Sequence, residues 1–167
     1  MIQVDCGELE LEAGQFFMLE SWDMELTLMR PISVFKNDSG CLWFVYRVIG
    51  EGTRRLSALR RGDRIRLLGP CGNGYPYASL QGTVAMVGGG LGIPPPCHSA
   101  RMLGRNGAAV HAYLGYRDTL FLLDDFRAWC SNIVVSTESG RGAYQGFITD
   151  LFNPQPYDAV ITCGPEV

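Results

Sequence analysis

The chain has 167 residues, enough for one ordinary domain or two small ones with a sizeable core. Its net charge of −3 and its pI of about 5.3 argue against a nucleic-acid-binding protein. The first residues lack the charged and apolar regions of a signal peptide, and no apolar segment is long enough to cross a bilayer. We therefore expect a soluble, cytoplasmic protein that binds neither nucleic acid nor a membrane.

Six cysteines are spread along the chain at intervals of 26 to 35 residues. No two of them stand at the short spacing that is typical of zinc or iron–sulfur sites. The local pattern therefore predicts no metal site, and it favours free thiols in a reducing compartment.

The first half of the chain is predicted to be all β. Short runs of apolar, aromatic and β-branched residues are separated by turn residues, a pattern typical of a small barrel or sandwich. The predicted strands are Ile2–Val4, Gln15–Leu19, Pro31–Phe35, Leu42–Val48 and Arg64–Leu68. One or two helical turns are expected at Thr53–Leu59, with Thr53 as the cap.

The second half alternates strand-like and helix-like segments, which indicates a parallel sheet with right-handed crossovers. The predicted strands are Val84–Val87, Val110–Leu114, Ile133–Thr137 and Ala159–Thr162. The predicted helices are Pro96–Arg105, Thr119–Cys130 and Phe147–Phe152. We expect Asp118 or Thr119 to cap the second helix, and Leu123, Phe126 and Cys130 to face inward.

A glycine-rich turn follows the first strand of this second half. Four glycines lie within five residues, at Gly88, Gly89, Gly90 and Gly92. Such a turn between a strand and a helix binds nucleotide phosphates in α/β proteins, but it serves equally as a structural turn. Three prolines follow, so Ile93, Pro94 and Pro95 are expected to be extended and Pro96 to begin the helix. An anion would then be held mainly by the amides of residues 88–93.

A second candidate site follows the last predicted strand, at Cys163-Gly164-Pro165. Open parallel sheets bind ligands at the carboxyl ends of their strands. Both the glycine turn and this segment stand at such ends.

Four segments stand in an informative order: Arg30-Pro31-Ile32-Ser33, Tyr46-Arg47 with Gly50–Thr53, Gly88–Gly92, and Cys163–Glu166. Together they resemble the ferredoxin–NADP reductase superfamily. Within it, the chain resembles the family of dihydroorotate dehydrogenase B electron-transfer subunits, to which the sequence GPCGNGYP at Gly69–Pro76 also points. The resemblance implies an antiparallel, FAD-binding β-barrel at residues 1–79, followed by a parallel α/β NAD-binding domain at residues 80–167.

The resemblance assigns the first two segments to FAD. Arg30 would pair with the pyrophosphate, because a guanidinium fork suits phosphate oxygens. Pro31 and Ile32 belong to the same segment, and Ile32 stands where many relatives carry an aromatic residue that covers the flavin. The Ser33 hydroxyl would lie near flavin N5, where hydride arrives, and Ser33 is thus one of two predicted catalytic positions.

Further along the barrel, the resemblance places Val45, Tyr46 and Arg47 against the flavin and its ribityl chain. Gly52 and Thr53 would begin the helical turn whose amides meet the pyrophosphate.

The other two segments are assigned to NAD(H). Gly88, Gly89, Gly90, Leu91 and Gly92 would take the pyrophosphate. The segment Cys163, Gly164 and Pro165 would lie by the nicotinamide, close to the flavin ring, with Cys163 as the second predicted catalytic position in a positioning role.

The residues themselves do not decide between NAD and NADP. Arg117 and Asp118 follow the second parallel strand, and the acid favours the free ribose of NAD whereas the arginine favours a 2′-phosphate. The family favours NAD. His98 and His111 are assigned no chemistry.

The implied function is FAD-dependent electron transfer between NAD(H) and a dihydroorotate dehydrogenase catalytic subunit, in a hetero-oligomer of pyrimidine biosynthesis. Relatives begin with an additional strand, and they continue past the Cys-Gly-Pro motif into a four-cysteine loop that holds a 2Fe–2S cluster. These 167 residues supply no such loop. Two alternatives are an NAD(P)H-dependent flavin or iron–sulfur oxidoreductase with another acceptor, and a non-catalytic docking module without flavin.

Overall fold

The computed structural model of the chain describes residues 1–21 and 28–165, apart from the side chain of Ala78. Glu166, the last residue of the segment Cys163–Glu166, lies outside the described residues. The chain divides into two compact units, Met1–Tyr75 and Pro76–Val167. The domain boundary after residue 79 stays a prediction.

The first unit is built on a five-stranded sheet in which all paired strands are antiparallel, in the order β1-β4-β3-β2-β5. The strands are β1 (Ile2–Asp5), β2 (Phe16–Ser21), β3 (Arg30–Asp38), β4 (Cys41–Phe44) and β5 (Ile65–Cys71). Helix α1 (Glu51–Ala58) lies in the chain between β4 and β5. The prediction of an antiparallel, barrel-type first half is confirmed.

One hydrophobic core holds this unit together. Alternate residues of the strands point into it, because successive side chains of a strand face opposite sides of the sheet. Its buried members are Val4, Phe17, Leu19, Ile32, Val34, Leu42, Phe44 and, from α1, Leu56. Each such side chain contributes about 1.5–3 kcal/mol when it is removed from water.

Strand β4 is shorter than its sequence predicts, since it ends at Phe44 and not at Val48. The register explains the early end. Phe44 pairs with Ile2, the first residue of β1, so no residue of β1 remains to pair beyond it. The next five residues are irregular and only half-buried or exposed.

The second unit contains a five-stranded parallel sheet in the order β10-β6-β7-β8-β9. Its strands are β6 (Thr83–Gly89), β7 (Ala109–Tyr116), β8 (Asn132–Thr137), β9 (Tyr144–Gln145) and β10 (Ala159–Cys163). Helix α2 (Pro94–Arg105) follows β6, and helix α3 (Leu123–Arg127) follows β7. The predicted α/β second half is confirmed, and β9 is an addition.

Strand β6, which lies between β10 and β7 in this sheet, is buried along residues 84–88. Such a continuous apolar run is typical of a parallel strand that is covered on both faces. Helix α2 contacts β6, β7 and β10 and buries Ala100 and Leu103 completely. A separate cluster joins Val87 and Tyr113 to Ile148, which belongs to a short 3₁₀ turn at Ile148–Leu151.

The helix predicted at Thr119–Cys130 is wrong in length, since only Leu123–Arg127 is helical. Leu122 adopts a left-handed conformation with φ of 60°, which interrupts any earlier helix. The segment before it is held by the Tyr116 hydroxyl, which donates a hydrogen bond of 2.8 Å to the Phe121 carbonyl. Neither Asp118 nor Thr119 therefore caps α3. Phe126 faces inward as expected and is fully buried.

Candidate functional site

In the first unit, the Arg30 side chain lies against the first turn of α1. A Cβ atom added to Gly52 would stand 2.4 Å from Arg30 Nε and 2.7 Å from Cζ, so any side chain at this position would displace the guanidinium. Its Nη1 donates a hydrogen bond to the Leu28 carbonyl. Within residues 1–21 and 28–165, Arg30 forms no ion pair with a carboxylate.

The start of α1 adds a second positive feature to the same place. The first intrahelical hydrogen bond runs from the Arg54 N–H to the Gly50 carbonyl, 2.9 Å away. The N–H groups of the three preceding residues therefore have no acceptor within the helix. Helix N-termini carry partial positive charge, so a guanidinium beside one is electrostatically unfavourable until an anion joins them. The pair thus fits a phosphate group.

Thr53 has a different role from the predicted cap. It is the third residue of α1, and its hydroxyl reaches back to accept hydrogen bonds from the N–H groups of Ile49 (3.0 Å) and Gly50 (3.2 Å). It also donates one to the Gly50 carbonyl. Gly50 is the N-cap residue instead. Because the Thr53 hydroxyl is buried and already hydrogen-bonded, it holds the loop before α1 in place. Only the backbone of Thr53 is then available at the helix start.

Glu51 is the one acidic residue in the first turn of α1. It forms ion pairs with Arg54 at 3.1 Å and Arg55 at 3.0 Å, and hydrogen bonds from Arg55 and Arg54 lower the pKa of its carboxyl group. These two arginines offset the negative charge that would otherwise repel an anion near the helix start.

Successive side chains of the Arg30–Ser33 segment lie on opposite faces of strand β3. Ile32 is 9% exposed and belongs to the core of the unit, so its side chain is not free to cover a cofactor ring. Pro31 is exposed and Ser33 half-buried, and the alternation of the strand puts both on the opposite face. Ser33 pairs with Phe16 of β2.

The residues after β4 line the irregular segment that leads to α1. Val45 and Tyr46 are half-buried, and Tyr46 packs against the core of the unit, where burial raises the pKa of its hydroxyl. Arg47 is exposed and forms no ion pair with any described residue. Like Arg30, it has no carboxylate partner among the described residues of this unit.

In the second unit, the fold brings the two predicted nucleotide segments together. Strands β6 and β10 are parallel neighbours, and Cys163 pairs with Gly88, so both segments leave the sheet at its carboxyl edge. A Cβ atom on Gly92 would stand 2.2 Å from the Cys163 carbonyl oxygen. One on Gly164 would stand 3.3 Å from the Gly89 nitrogen. The close approach of these two backbones therefore requires Gly92.

Gly90 is required for another reason. Its φ of 52° lies in the left-handed region, and an added Cβ atom would meet nothing within 4 Å. The next residue, Leu91, is 46% exposed. Gly92 is thus fixed by contacts inside the unit, whereas Gly90 leaves open space beside a sharp turn, which is where a ligand can approach the backbone.

The prediction for the prolines is wrong, since α2 begins at Pro94 and not at Pro96, and Ile93 is already in the helical region with φ −70° and ψ −40°. The first positions of a helix need no N–H donor, so prolines are tolerated there despite their effect on the preceding residue. The Cys97 N–H makes the first bond of the helix, to Ile93 at 3.3 Å. Because the three prolines at the start of α2 have no N–H groups, the preceding turn is the main source of backbone amides for binding an anion.

Cys163 is half-buried, and burial raises the pKa of its thiol. A neutral thiol is a poor nucleophile, which agrees with the positioning role predicted for it. Arg117 and Asp118 follow β7 at the carboxyl edge of the sheet, and both are exposed.

The structure also shows buried polar groups and polar contacts in the second unit that the sequence analysis did not predict. The hydroxyls of Ser136 and Thr137, at the end of β8, are buried and have no hydrogen-bond partner among the described residues. His111 Nδ1 and the Tyr157 hydroxyl share a hydrogen bond of 3.1 Å. His98 is buried, and its environment lowers its pKa to about 4 through burial first and the charges of nearby arginines second. No periodic pattern distinguishes such residues from ordinary core positions.

No helix in the described part of the chain has the length and apolar character needed to span a membrane. Likewise, no group of three or more His, Cys, Asp or Glu side chains among the described residues is placed to hold a metal ion.

Comparison with known proteins identifies the relatives of this chain. No family model matches it. It is 40% identical over 161 residues to the electron transfer subunit of dihydroorotate dehydrogenase B (NAD(+)) from Clostridium acetobutylicum, covering 96% of this chain and 65% of that protein. The corresponding subunit from Clostridium perfringens is 35% identical with the same coverage. The chain thus spans less than two thirds of the length of these relatives.

Solved structures give the same picture for the fold. The structure of an NADH-dependent reduced ferredoxin-NADP oxidoreductase is 26% identical, with a TM-score of 0.80 over 98% of this chain and 66% of that one. The flavohem-like FAD/NAD binding domain of nitric oxide dioxygenase from Vibrio cholerae, at 15% identity, has a TM-score of 0.74 over 95% of this chain and 76% of that one. The chain is therefore similar over nearly its whole length to dihydroorotate dehydrogenase B electron transfer subunits, and it has a ferredoxin reductase-like fold.

Proposed function

We propose that this chain is an FAD-dependent electron-transfer subunit that passes reducing equivalents between NAD(H) and a dihydroorotate dehydrogenase catalytic subunit, in pyrimidine biosynthesis. Residues 1–79 would bind FAD and residues 80–167 would bind NAD(H). The observation that carries the proposal is the Arg30 guanidinium on the first turn of α1, in the space that Gly52 leaves by having no side chain. The names of the relatives supply the electron donor and the partner.

The first unit fits the pyrophosphate of FAD. Arg30 uses one of its donors on the Leu28 carbonyl, so most of its five N–H donors remain for phosphate oxygens. The amides at the start of α1 would add donors and a favourable dipole. Arg47 is a further cation with no carboxylate partner in the described chain, beside Val45 and Tyr46. The exposed face of β3, with Pro31 and Ser33, would carry the flavin, and Ile32 would contribute through its backbone only.

The second unit fits the pyrophosphate of NAD(H). The open turn at Gly90, with Gly88, Gly89, Leu91 and Gly92, offers backbone amides at the carboxyl edge of a parallel sheet. Gly164 and Pro165 would hold the nicotinamide beside Cys163. Between Arg117 and Asp118, we assign the ribose to Asp118, because the relatives are named for NAD(+).

FAD, when bound, supplies the redox chemistry, since a flavin accepts a hydride's two electrons and can release them one at a time. The residues of this chain bind and orient. Ser33 would donate or accept a hydrogen bond at the reacting edge of the flavin, and Cys163 would position the nicotinamide as a neutral thiol. The described residues offer no ligand set for an iron–sulfur cluster, so no step is assigned to one.

All six cysteines are free. Free thiols suit a reducing compartment, and a cytoplasmic location is therefore part of the proposal.

The direct test is flavin content. We expect the purified chain to hold FAD, or to take it up on reconstitution. Replacing Arg30 by alanine removes a charge-assisted phosphate contact worth about 1.5–3 kcal/mol, so it should weaken FAD binding about ten- to a hundredfold. Arg127→Ala is the matched control, because Arg127 is exposed and forms its ion pair with Asp124 of its own helix. A chain that stays colourless with added FAD would instead favour a docking module without flavin.

A further inference from the structure

The arginines of the first unit are concentrated in one part of the chain. Residues 54–66, here called the arginine segment, hold six of the 13 arginines and only one carboxylate, Asp63. The segment covers most of α1, the loop after it and the start of β5. Because the whole chain has a net charge of −3, overall composition conceals this local excess of positive charge.

Half of these six arginines are paired inside the unit. Arg54 and Arg55 form ion pairs with Glu51, and Arg66 forms one with Glu20 at 2.9 Å. The pair Arg66–Glu20 bridges the neighbouring strands β5 and β2. These three side chains therefore have structural partners.

The other three, Arg60, Arg61 and Arg64, are exposed and form no ion pair with any residue in the described part of the chain. Asp63 does not neutralise them through an ion pair. Its carboxylate instead accepts a hydrogen bond of 2.7 Å from the Arg60 backbone N–H, while the Asp63 N–H donates to the Arg60 carbonyl at 3.0 Å. Asp63 thus closes the loop through hydrogen bonds to the Arg60 backbone. The three guanidinium groups, which lie within five residues of each other in the sequence, face solvent.

An apolar side chain accompanies this charge. Leu68 is 60% exposed and lies two residues after Arg66, on the same face of β5. Protein interfaces are enriched in arginine, and their centres contain apolar side chains. Arginine also pairs with carboxylates through two parallel hydrogen bonds, which a single amine cannot form.

The rest of the unit argues against a nucleic acid or a lipid surface as the occupant. Asp5, Glu8, Glu10 and Glu12 are all exposed, and residues 5–12 include no lysine or arginine. A polyanion that extends over the unit would meet these carboxylates as well as the arginines. A folded protein with a local acidic patch can match the arginine segment and avoid the acidic one.

We propose that Arg60, Arg61 and Arg64, together with the exposed Leu68 of β5, form a docking surface for an acidic face of the partner protein, the dihydroorotate dehydrogenase catalytic subunit. This inference rests on the proposed function for the identity of that partner. Charges of this kind act mainly on the rate and specificity of association, and their effect weakens with salt.

The test measures the affinity of the chain for the catalytic subunit of the same organism, by calorimetry at low and at high salt. The variant Arg60→Glu/Arg61→Glu/Arg64→Glu should bind about tenfold more weakly at low salt, with a flatter salt dependence, because three exposed charge pairs are lost. The matched control Arg60→Lys/Arg61→Lys/Arg64→Lys keeps the charge and should bind within about threefold of the unchanged chain. Flavin content and the melting temperature should be the same in all three proteins.

The possible failures are distinguishable. If the complex forms and the charge-reversed variant binds as tightly, the docking surface is wrong while the proposed function stands. If no complex forms, both the surface and the proposed partner are wrong, whether or not FAD is bound. If the reversal abolishes binding to a DNA duplex or to anionic phospholipid vesicles but leaves the complex intact, the arginines serve that other class of ligand and the proposal is overturned.

Discussion

Replacing Gly52 by alanine separates a binding role of the α1 start from a merely structural one. The added methyl carbon would stand 2.4 Å from Arg30 Nε, where ordinary contact begins at 3.4 Å, so the guanidinium must move by about 1 Å or more. The backbone tolerates the change, since Gly52 is not among the glycines with positive φ. The substitution therefore displaces one side chain and leaves the helix in place.

The two expected effects have opposite signs. Alanine is a better helix former than glycine by up to about 1 kcal/mol, so the melting temperature should stay the same or rise by about 2–4 °C. FAD binding should weaken about ten- to a hundredfold, because a charge-assisted contact worth about 1.5–3 kcal/mol is misplaced. A structural role alone would not produce better stability together with poorer binding.

The assay pairs thermal unfolding of the apoprotein with FAD titration calorimetry. Ser57→Ala is the control, because it also improves helix propensity but lies in the last turn of α1, where Ser57 is exposed and its hydroxyl donates to the Arg54 carbonyl. We expect Ser57→Ala to bind FAD normally. If Gly52→Ala also binds FAD with unchanged affinity, the pyrophosphate does not lie at Arg30 and this part of the account is refuted.

The remaining predictions concern the second unit. Gly92→Ala should destabilise it by about 1–3 kcal/mol in urea unfolding, because the methyl group would overlap the Cys163 carbonyl, and unchanged stability would contradict the close backbone approach. Gly90→Ala should cost only about 1 kcal/mol, from its left-handed φ, yet weaken NADH binding in titrations; normal binding would remove Gly90 from the site. His98 has a pKa of about 4 in the folded chain against 6.5 for a free side chain, so the unfolded chain binds more protons between these values and stability is lost as the pH falls from about 6.5 toward about 4. The loss should reach about 3 kcal/mol, and urea unfolding of His98→Leu should lack that part of the pH dependence; equal slopes for both proteins would refute the assignment.

The sequence predicts the strands well because their signal is local and matches their burial. In β6, the run from Val84 to Val87 is apolar throughout, and the strand is indeed covered on both faces. Alternation around Ile32 and Val34 likewise places both side chains in the core. The same alternation shows that Ile32 cannot cover a ring, although family resemblance alone lists it with the cofactor residues.

The errors in α3 and β4 share one physical origin, since tertiary contacts override local preference. The left-handed Leu122 and the Tyr116–Phe121 hydrogen bond shorten α3, and neither has a sequence pattern. The end of β4 depends on where β1 begins, which is a property of strand pairing. The contact between Arg30 and Gly52 joins residues 22 positions apart, so only the folded chain reveals that this glycine leaves space for the guanidinium.

The most direct test of the central claim is anaerobic stopped-flow mixing of the FAD-reconstituted chain with NADH or NADPH. The account predicts that the oxidised-flavin absorbance is bleached by NADH, and more slowly by NADPH at equal concentration, with one FAD reduced per NADH consumed. Reconstituted protein whose flavin absorbance is unchanged by either nucleotide would contradict the assignment of this chain to electron transfer from NAD(H).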